Sequence, residues 1–340
     1  MQKYVKSPVF FLLSVFFVSC EESLYELKLE EEEISLEIQR FEHDFFQLRE
    51  WNEQQYKEMV ERDSQVFTVF TALVLEVGYP SQPRTIGFLK NAATDPYWWE
   101  VYQKSQTLFN DFSPTERELS KAFAYYGHYF PEDTIPKVVT FVKGINFERQ
   151  IFTYDDFLGI CLDLYLGQDF PYYPSVYPKF LYRTFEPDYI PVDAMRTMFT
   201  KKYSEEEFRG KSVLAQMIYE GKKQLFLNMT LPNQPDSIKF SYTEEQMGWL
   251  TTYEKEVWTA LLDEDVLFET EHAIAERFFT DGPFTNAPGL PQKTPPRVGA
   301  YFGLRILEAY LRKYPETSFV ELLEMKDEQK IFQKSSYRPR

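Results

Sequence analysis

The spacing of apolar and polar residues changes period several times along the chain, and each change marks an element. Ile34-Ser35-Leu36-Glu37-Ile38 alternates and predicts a first strand. Phe41, Phe45 and Leu48 then recur at helical spacing, and mixed helical patterning continues over 51–77. Pro80 to Pro83 breaks the chain, and helical spacing returns around Tyr97-Trp98-Trp99. Ser113-Pro114-Thr115-Glu116 reads as a helix start: a capping Ser, Pro at the first helical position, and Glu three residues after the Ser. That helix turns Leu119, Phe123 and Tyr126 inward.

The pattern shortens after residue 135. Segments 136–141 and 150–154 read as strands, and the nearly all-apolar run Phe157 to Leu166 as a buried central strand ending in a turn at Gly167. Pro171, Pro174 and Pro178 mark a Tyr-rich loop. From 187 on the period is helical. Residues 211–227 form one helix, with Val213, Met217, Gly221 and Leu225 four apart. Thr243-Glu244-Glu245-Gln246 is a capping box opening a helix with Trp249, Tyr253, Val257 and Leu261 on one face. A loop with Gly282, Pro283, Pro288, Gly289 and Pro291 follows, and Thr294-Pro295-Pro296 starts a helix to about Lys313. Gly299 and Gly303 lie four apart there and would let another element approach closely. The fold class predicted is α+β, mostly helical with a small mixed sheet, as one body over residues 34–330.

The N-terminus has a different character. Lys3 and Lys6 head an apolar run, Val9 to Val18, broken only by Ser14 and closed by Ser19-Cys20. Ten apolar residues rise about 15 Å as a helix, too little for a hydrocarbon core of about 30 Å. Residues 1–19 therefore read as a cleavable lipoprotein signal, with Cys20 the acylation site and first residue of the mature chain. Residues 20–33, with Glu30 to Glu33, read as an acidic tether whose like charges repel and extend it.

Charge narrows the partners. The chain carries 37 basic and 53 acidic residues, a net −16. A surface this acidic excludes nucleic acid, which needs clustered Lys and Arg, and electrostatic adhesion to anionic lipid. The 24 Tyr and 32 Phe suit a core of large rings better than a stacking surface for sugars or peptides. Cys161, inside an apolar run, reads as a buried structural thiol.

Candidate chemistry is sparse. There is no H-E-x-x-H, C-x-x-C, G-x-S-x-G or phosphate-cradling glycine motif, and His43, His128 and His272 are scattered. No metal or cofactor site is assigned. Asp155, Asp156, Asp163 and Asp169 lie close in sequence, but calcium needs six to eight converging oxygens, and solvated loop acids are the favoured reading.

Four stretches carry a family resemblance. Tyr154 to Gly167 (YDDFLGICLDLYLG), Ser212 to Lys222 (SVLAQMIYEGK), Tyr242 to Gln246 (YTEEQ) and Arg297 to Gly303 (RVGAYFG) resemble hallmark stretches of the GldB-type gliding-motility lipoproteins, in order and spacing. The likeness covers roughly 34–325 and is strongest from 137 on. It implies an envelope lipoprotein of gliding bacteria, anchored to a membrane through Cys20 and facing the periplasm. It also implies other gliding or secretion machinery proteins as partners and a role in movement of surface adhesins and protein secretion.

A looser likeness concerns the 211–227 helix, which follows a strand-rich segment as the active-site helix does in zinc-peptidase-like folds. Gln216 then stands for the first His of H-E-x-x-H, Met217 for the general-base Glu and Glu220 for the second His. An amide and a lone carboxylate bind zinc poorly, and Met cannot activate water. This reading is a degenerate peptidase-like scaffold without the chemistry; its counterpart is a plain amphipathic core helix. The rival functions are a glycan- or peptide-binding surface lipoprotein and a metal-dependent hydrolase with an unrecognised site.

Overall fold

In a computed structural model of the chain, the residues described are 25, 35–50, 52–145, 150–207 and 211–339. The signal segment, Cys20 and all of the tether except Tyr25 lie outside them.

Four short strands form one sheet: β1 (Ile38–Arg40), β2 (Lys137–Phe141), β3 (Ile151–Tyr154) and β4 (Phe157–Cys161), in the order β1-β2-β4-β3. β1 and β4 run parallel to β2, and β3 is antiparallel to β4. Every residue of β4 is buried, as expected of a strand covered on both faces. Opposite Phe152 the strand carries Gly159, where a Cβ would come within 2.3 Å of the Phe152 ring. The aromatic ring takes the space that the glycine leaves.

The rest is helical, and its centre is the Val213–Thr230 helix. Its side chains are buried all round, except for a stripe formed by Gln216, Glu220 and Lys223. It packs backbone against backbone on the Val298–Lys313 helix: a Cβ on Gly221 would fall 2.2 Å from the Gly303 carbonyl carbon. Gly299 serves a different contact, against the Phe279 ring. The expected close approach at the glycine pair is therefore present, and Gly221 is its partner.

Rings fill the interior. Phe41, Phe45, Phe67, Phe70 and Phe141 are all fully buried and pack edge-on, tilted or stacked, with centroids 4.8–5.7 Å apart. Edge-to-face and offset contacts of this kind suit the ring quadrupoles. Among the described residues the exposed large aromatics are Tyr79, Phe88, Tyr154, Tyr253, Phe268 and Phe284.

Several boundaries differ from the sequence reading. The first strand lies at 38–40, not 34–38, because the ladder starts where the Val138 N–H reaches the Glu37 carbonyl, 2.8 Å away. The apolar run after Phe157 leaves the sheet at Cys161, opposite the end of β2, and winds into a tight turn, Leu162–Leu164. Gly167 follows with φ +90°, a turn that favours glycine. Ser113 opens its helix without capping it; Asp111 Oδ1 accepts from the Ser113 N–H at 3.0 Å.

The helix opened by Thr243 forms the expected capping box but stops at Thr252, and a second helix runs Glu254–Asp263. Tyr253, at the break, is 41% exposed instead of sharing the buried face. The break brings Glu254 under Tyr301 and Tyr337, whose hydroxyls donate to it at 3.0 and 2.5 Å, with Arg305 Nε at 3.1 Å. Pro295 and Pro296 do not start a helix, which begins at Val298. Their carbonyls accept from Thr285 (2.6 Å) and Tyr242 (2.8 Å), so tertiary contacts hold that segment out of the helix.

Candidate functional site: an arginine-lined cleft

The short helix Asp236–Phe240 ends at Ser241, which takes a left-handed conformation (φ +52°). A helix end leaves carbonyls without intrahelical donors and carries partial negative charge. Here three successive carbonyls are each met by a different arginine. Arg196 Nη2 donates to the Lys239 oxygen at 2.5 Å and to Ser241 Oγ at 3.1 Å. Arg297 Nη2 donates to the Phe240 oxygen at 2.5 Å, and Arg183 Nη2 donates to the Ser241 oxygen.

The arginines come from distant parts of the chain. Arg196 projects from the Ile190–Lys202 helix, and Arg183 follows the Lys179–Tyr182 turn of helix. Arg297 precedes the Val298–Lys313 helix, itself left-handed at φ +52°. Asp193, one turn before Arg196, accepts from Arg196 Nη1 at 2.8 Å and from the Tyr165 hydroxyl at 3.0 Å. Burial raises the Asp193 pKa above the usual carboxylate value, opposed by Arg196. Burial lowers that of Arg183 and the like charge of Arg297 adds to the effect, opposed by Tyr189, which hydrogen-bonds it, and by Asp281.

These side chains line a cleft of about 220 Å³. Leu164, Phe180, Phe185 and Gln150 complete much of the wall, with Asp281 3.0 Å from Arg297 Nε. Three of the four stretches that carry the family resemblance meet at it. Leu164 and Tyr165 come from the first, Tyr242 from the third and Arg297 from the fourth. The second does not line the cleft; it meets the fourth at the Gly221–Gly303 contact. Of the three arginines, sequence reasoning touched only Arg297. Arg183 and Arg196 belong to no motif, and nothing in their spacing announces that they meet.

The residues singled out from the sequence lie elsewhere. Met217 is fully buried beneath Gly303. Gln216 Nε2 donates to the Lys211 carbonyl at 3.1 Å, and Glu220 pairs with Lys223 at 2.6 Å. Cys161 is buried in β4. Asp155, Asp156 and Asp169 are exposed, whereas Asp163 is completely buried. Asp163 is thus no solvated loop acid, a correction to the sequence reading. Its Oδ1 accepts from the Lys143 backbone N–H at 3.3 Å, its Oδ2 has no hydrogen-bond partner among the described residues, and burial lifts its pKa to about 6. Among the described residues no three His, Cys, Asp or Glu side chains are grouped to hold a metal ion, and no helix is long and apolar enough to cross a membrane.

No curated protein matches the chain, and no solved structure does. The family model of the gliding motility protein GldB matches residues 23–339, from within the acidic tether to the last residue described. That match spans all four stretches and the whole arginine cleft, and by it the chain belongs to the GldB family of gliding motility proteins.

Proposed function

We propose that the protein is a non-catalytic envelope lipoprotein, acylated on Cys20, that supports gliding motility and the secretion of surface proteins tied to it. It faces the periplasm and works through other proteins of the gliding or secretion machinery. The family match over 23–339 carries this reading. The local chemistry of the peptidase-like helix supports the non-catalytic part. Gln216 and Glu220 spend their polar atoms on neighbours in their own segment, and Met217 offers neither a ligand nor a base.

Tyr25 supports the anchored geometry. Its ring packs 5.2 Å from that of Phe319, and five residues of chain reach at most about 18 Å. An acyl group on Cys20 would hold the Phe319 face of the body close to the bilayer. Two experiments test the reading. Deletion in the native host is expected to abolish colony spreading and cell movement; normal movement would reject the motility role. Cys20→Ser is expected to shift the protein out of the membrane fraction, and an unchanged fraction would reject the anchor.

A second reading, a peptide-binding surface lipoprotein, is favoured by one observation, the cationic cleft in an otherwise acidic chain.

A further inference from the structure

The cleft holds three arginines and two aspartates, in a chain whose net charge is −16. Asp193 answers Arg196, and Asp281 answers Arg297. Arg183 has no carboxylate within ion-pair distance among the described residues; it meets the Ser241 carbonyl and the Tyr189 side chain, with Asp281 attracting it from farther off. By count the lining holds one guanidinium more than carboxylates, and Arg183 is partly desolvated. A cationic excess in such a place favours an anion.

An unmet hydrogen bond points the same way. Gln150 Nε2, buried on the wall, has no hydrogen-bond partner among the described residues, whereas Arg297 Nε has Asp281 at 3.0 Å. Gln150 Nε2 is a donor. Buried donors in native structures are normally satisfied, so the cleft lacks acceptors, not donors. An oxyanion supplies them, and guanidinium groups bind one through paired N–H donors.

Size and lining select among oxyanions. A volume of about 220 Å³ is below the range of about 300–1,000 Å³ usual for larger ligands. The single surplus charge matches a monoanion better than a phosphate dianion. Leu164, Phe180, Leu181 and Phe185 add an apolar wall beside the charged one. We propose that the cleft between Arg183, Arg297 and Gln150 binds a small monocarboxylate bearing an apolar side group, either a free short acid or the carboxyl end of a peptide. The binding does not depend on the motility reading, and the site makes no bond and breaks none.

The test is ligand-induced thermal stabilisation of the full mature chain in detergent. The probes, each at 20 mM, are N-acetyl-leucine, its neutral amide N-acetyl-leucinamide, 3-methylbutanoate and inorganic phosphate. N-acetyl-leucine is expected to raise Tm by about 2–4 °C, as a millimolar ligand of a chain this size would, and the amide to leave it unchanged. A larger shift with N-acetyl-leucine than with 3-methylbutanoate identifies a peptide terminus; equal shifts identify a free acid. Arg183→Gln and Gln150→Glu are each expected to remove the response, the second by placing a carboxylate inside the cleft. No shift with either acid, an equal shift with the amide, a greater shift with phosphate, or a response intact in both variants would overturn the proposal. The acid–amide comparison needs no variant, so a poorly folding substitution does not weaken the test.

Discussion

A Cβ built on Gly303 would stand 1.7 Å from the carbonyl oxygen of Met217. The obstacle is the backbone of the central helix, which cannot swing aside as a side chain can. Gly303→Ala is therefore expected to destabilise by about 3 kcal/mol or more, at the upper end of overpacking effects, against a helix-propensity gain of only about 1 kcal/mol. Gly248, in the Glu244–Thr252 helix, has nothing among the described residues within 4 Å of such a Cβ. Gly248→Ala should stabilise by about 0.5–1 kcal/mol. Urea unfolding midpoints of the two variants should move in opposite directions; a mild effect of Gly303→Ala would mean that the helices can separate.

Asp163 makes stability depend on pH in an unusual sense. Its carboxyl keeps its proton up to about pH 6 in the folded chain, against an ordinary value of 3.8. Between those values the folded form binds the extra proton, so this group's contribution to stability falls as pH rises through the window. The difference corresponds to about 3 kcal/mol at most. Asp163→Asn should match the wild type near pH 4 and exceed it increasingly up to pH 7. Parallel stability curves for the two proteins across that range would show that Asp163 is ionised throughout.

The Tyr165 hydroxyl is one of two groups satisfying Asp193. Tyr165→Phe should cost about 1–3 kcal/mol, because a buried carboxylate oxygen loses its donor. Arg196→Ala should cost more, about 3–5 kcal/mol, since it strips Asp193 of its counter-charge and the Lys239 carbonyl of its donor at once. The order of the two losses, read from chemical unfolding, is the check: equal losses would place the stabilisation in packing rather than in the ion pair.

Cys161 is fully buried, so it should resist a thiol reagent in the native protein and react once unfolded. The count is informative as well. The sequence has two cysteines, and acylation of Cys20 leaves one titratable thiol in the denatured mature protein. Two reactive thiols would contradict the anchor.

Local signals in this chain were legible wherever a residue's partner lay within a few positions. The capping box at Thr243, the turn at Gly167 and the inward stripe of Leu119, Phe123 and Tyr126 all follow from short-range geometry. The helical majority with a small mixed sheet was legible too, because periods of two and 3.6 survive in the residue pattern. Errors fell where a distant group intervened. Tyr253 breaks a helix so that Glu254 can meet Arg305, Tyr301 and Tyr337, and the carbonyls of Pro295 and Pro296 are claimed by Thr285 and Tyr242.

The sequence alone determined most of the elements though not all their bounds, the acidic balance and the family, since each is written in neighbouring residues or in overall composition. The arginine cleft was decided by tertiary structure. Arg183, Arg196 and Arg297 span more than a hundred positions and meet only because three successive carbonyls at one helix end need donors that the chain nearby does not supply. Charge and hydrogen-bond satisfaction act through space, and a linear pattern carries no record of which distant side chains will share it.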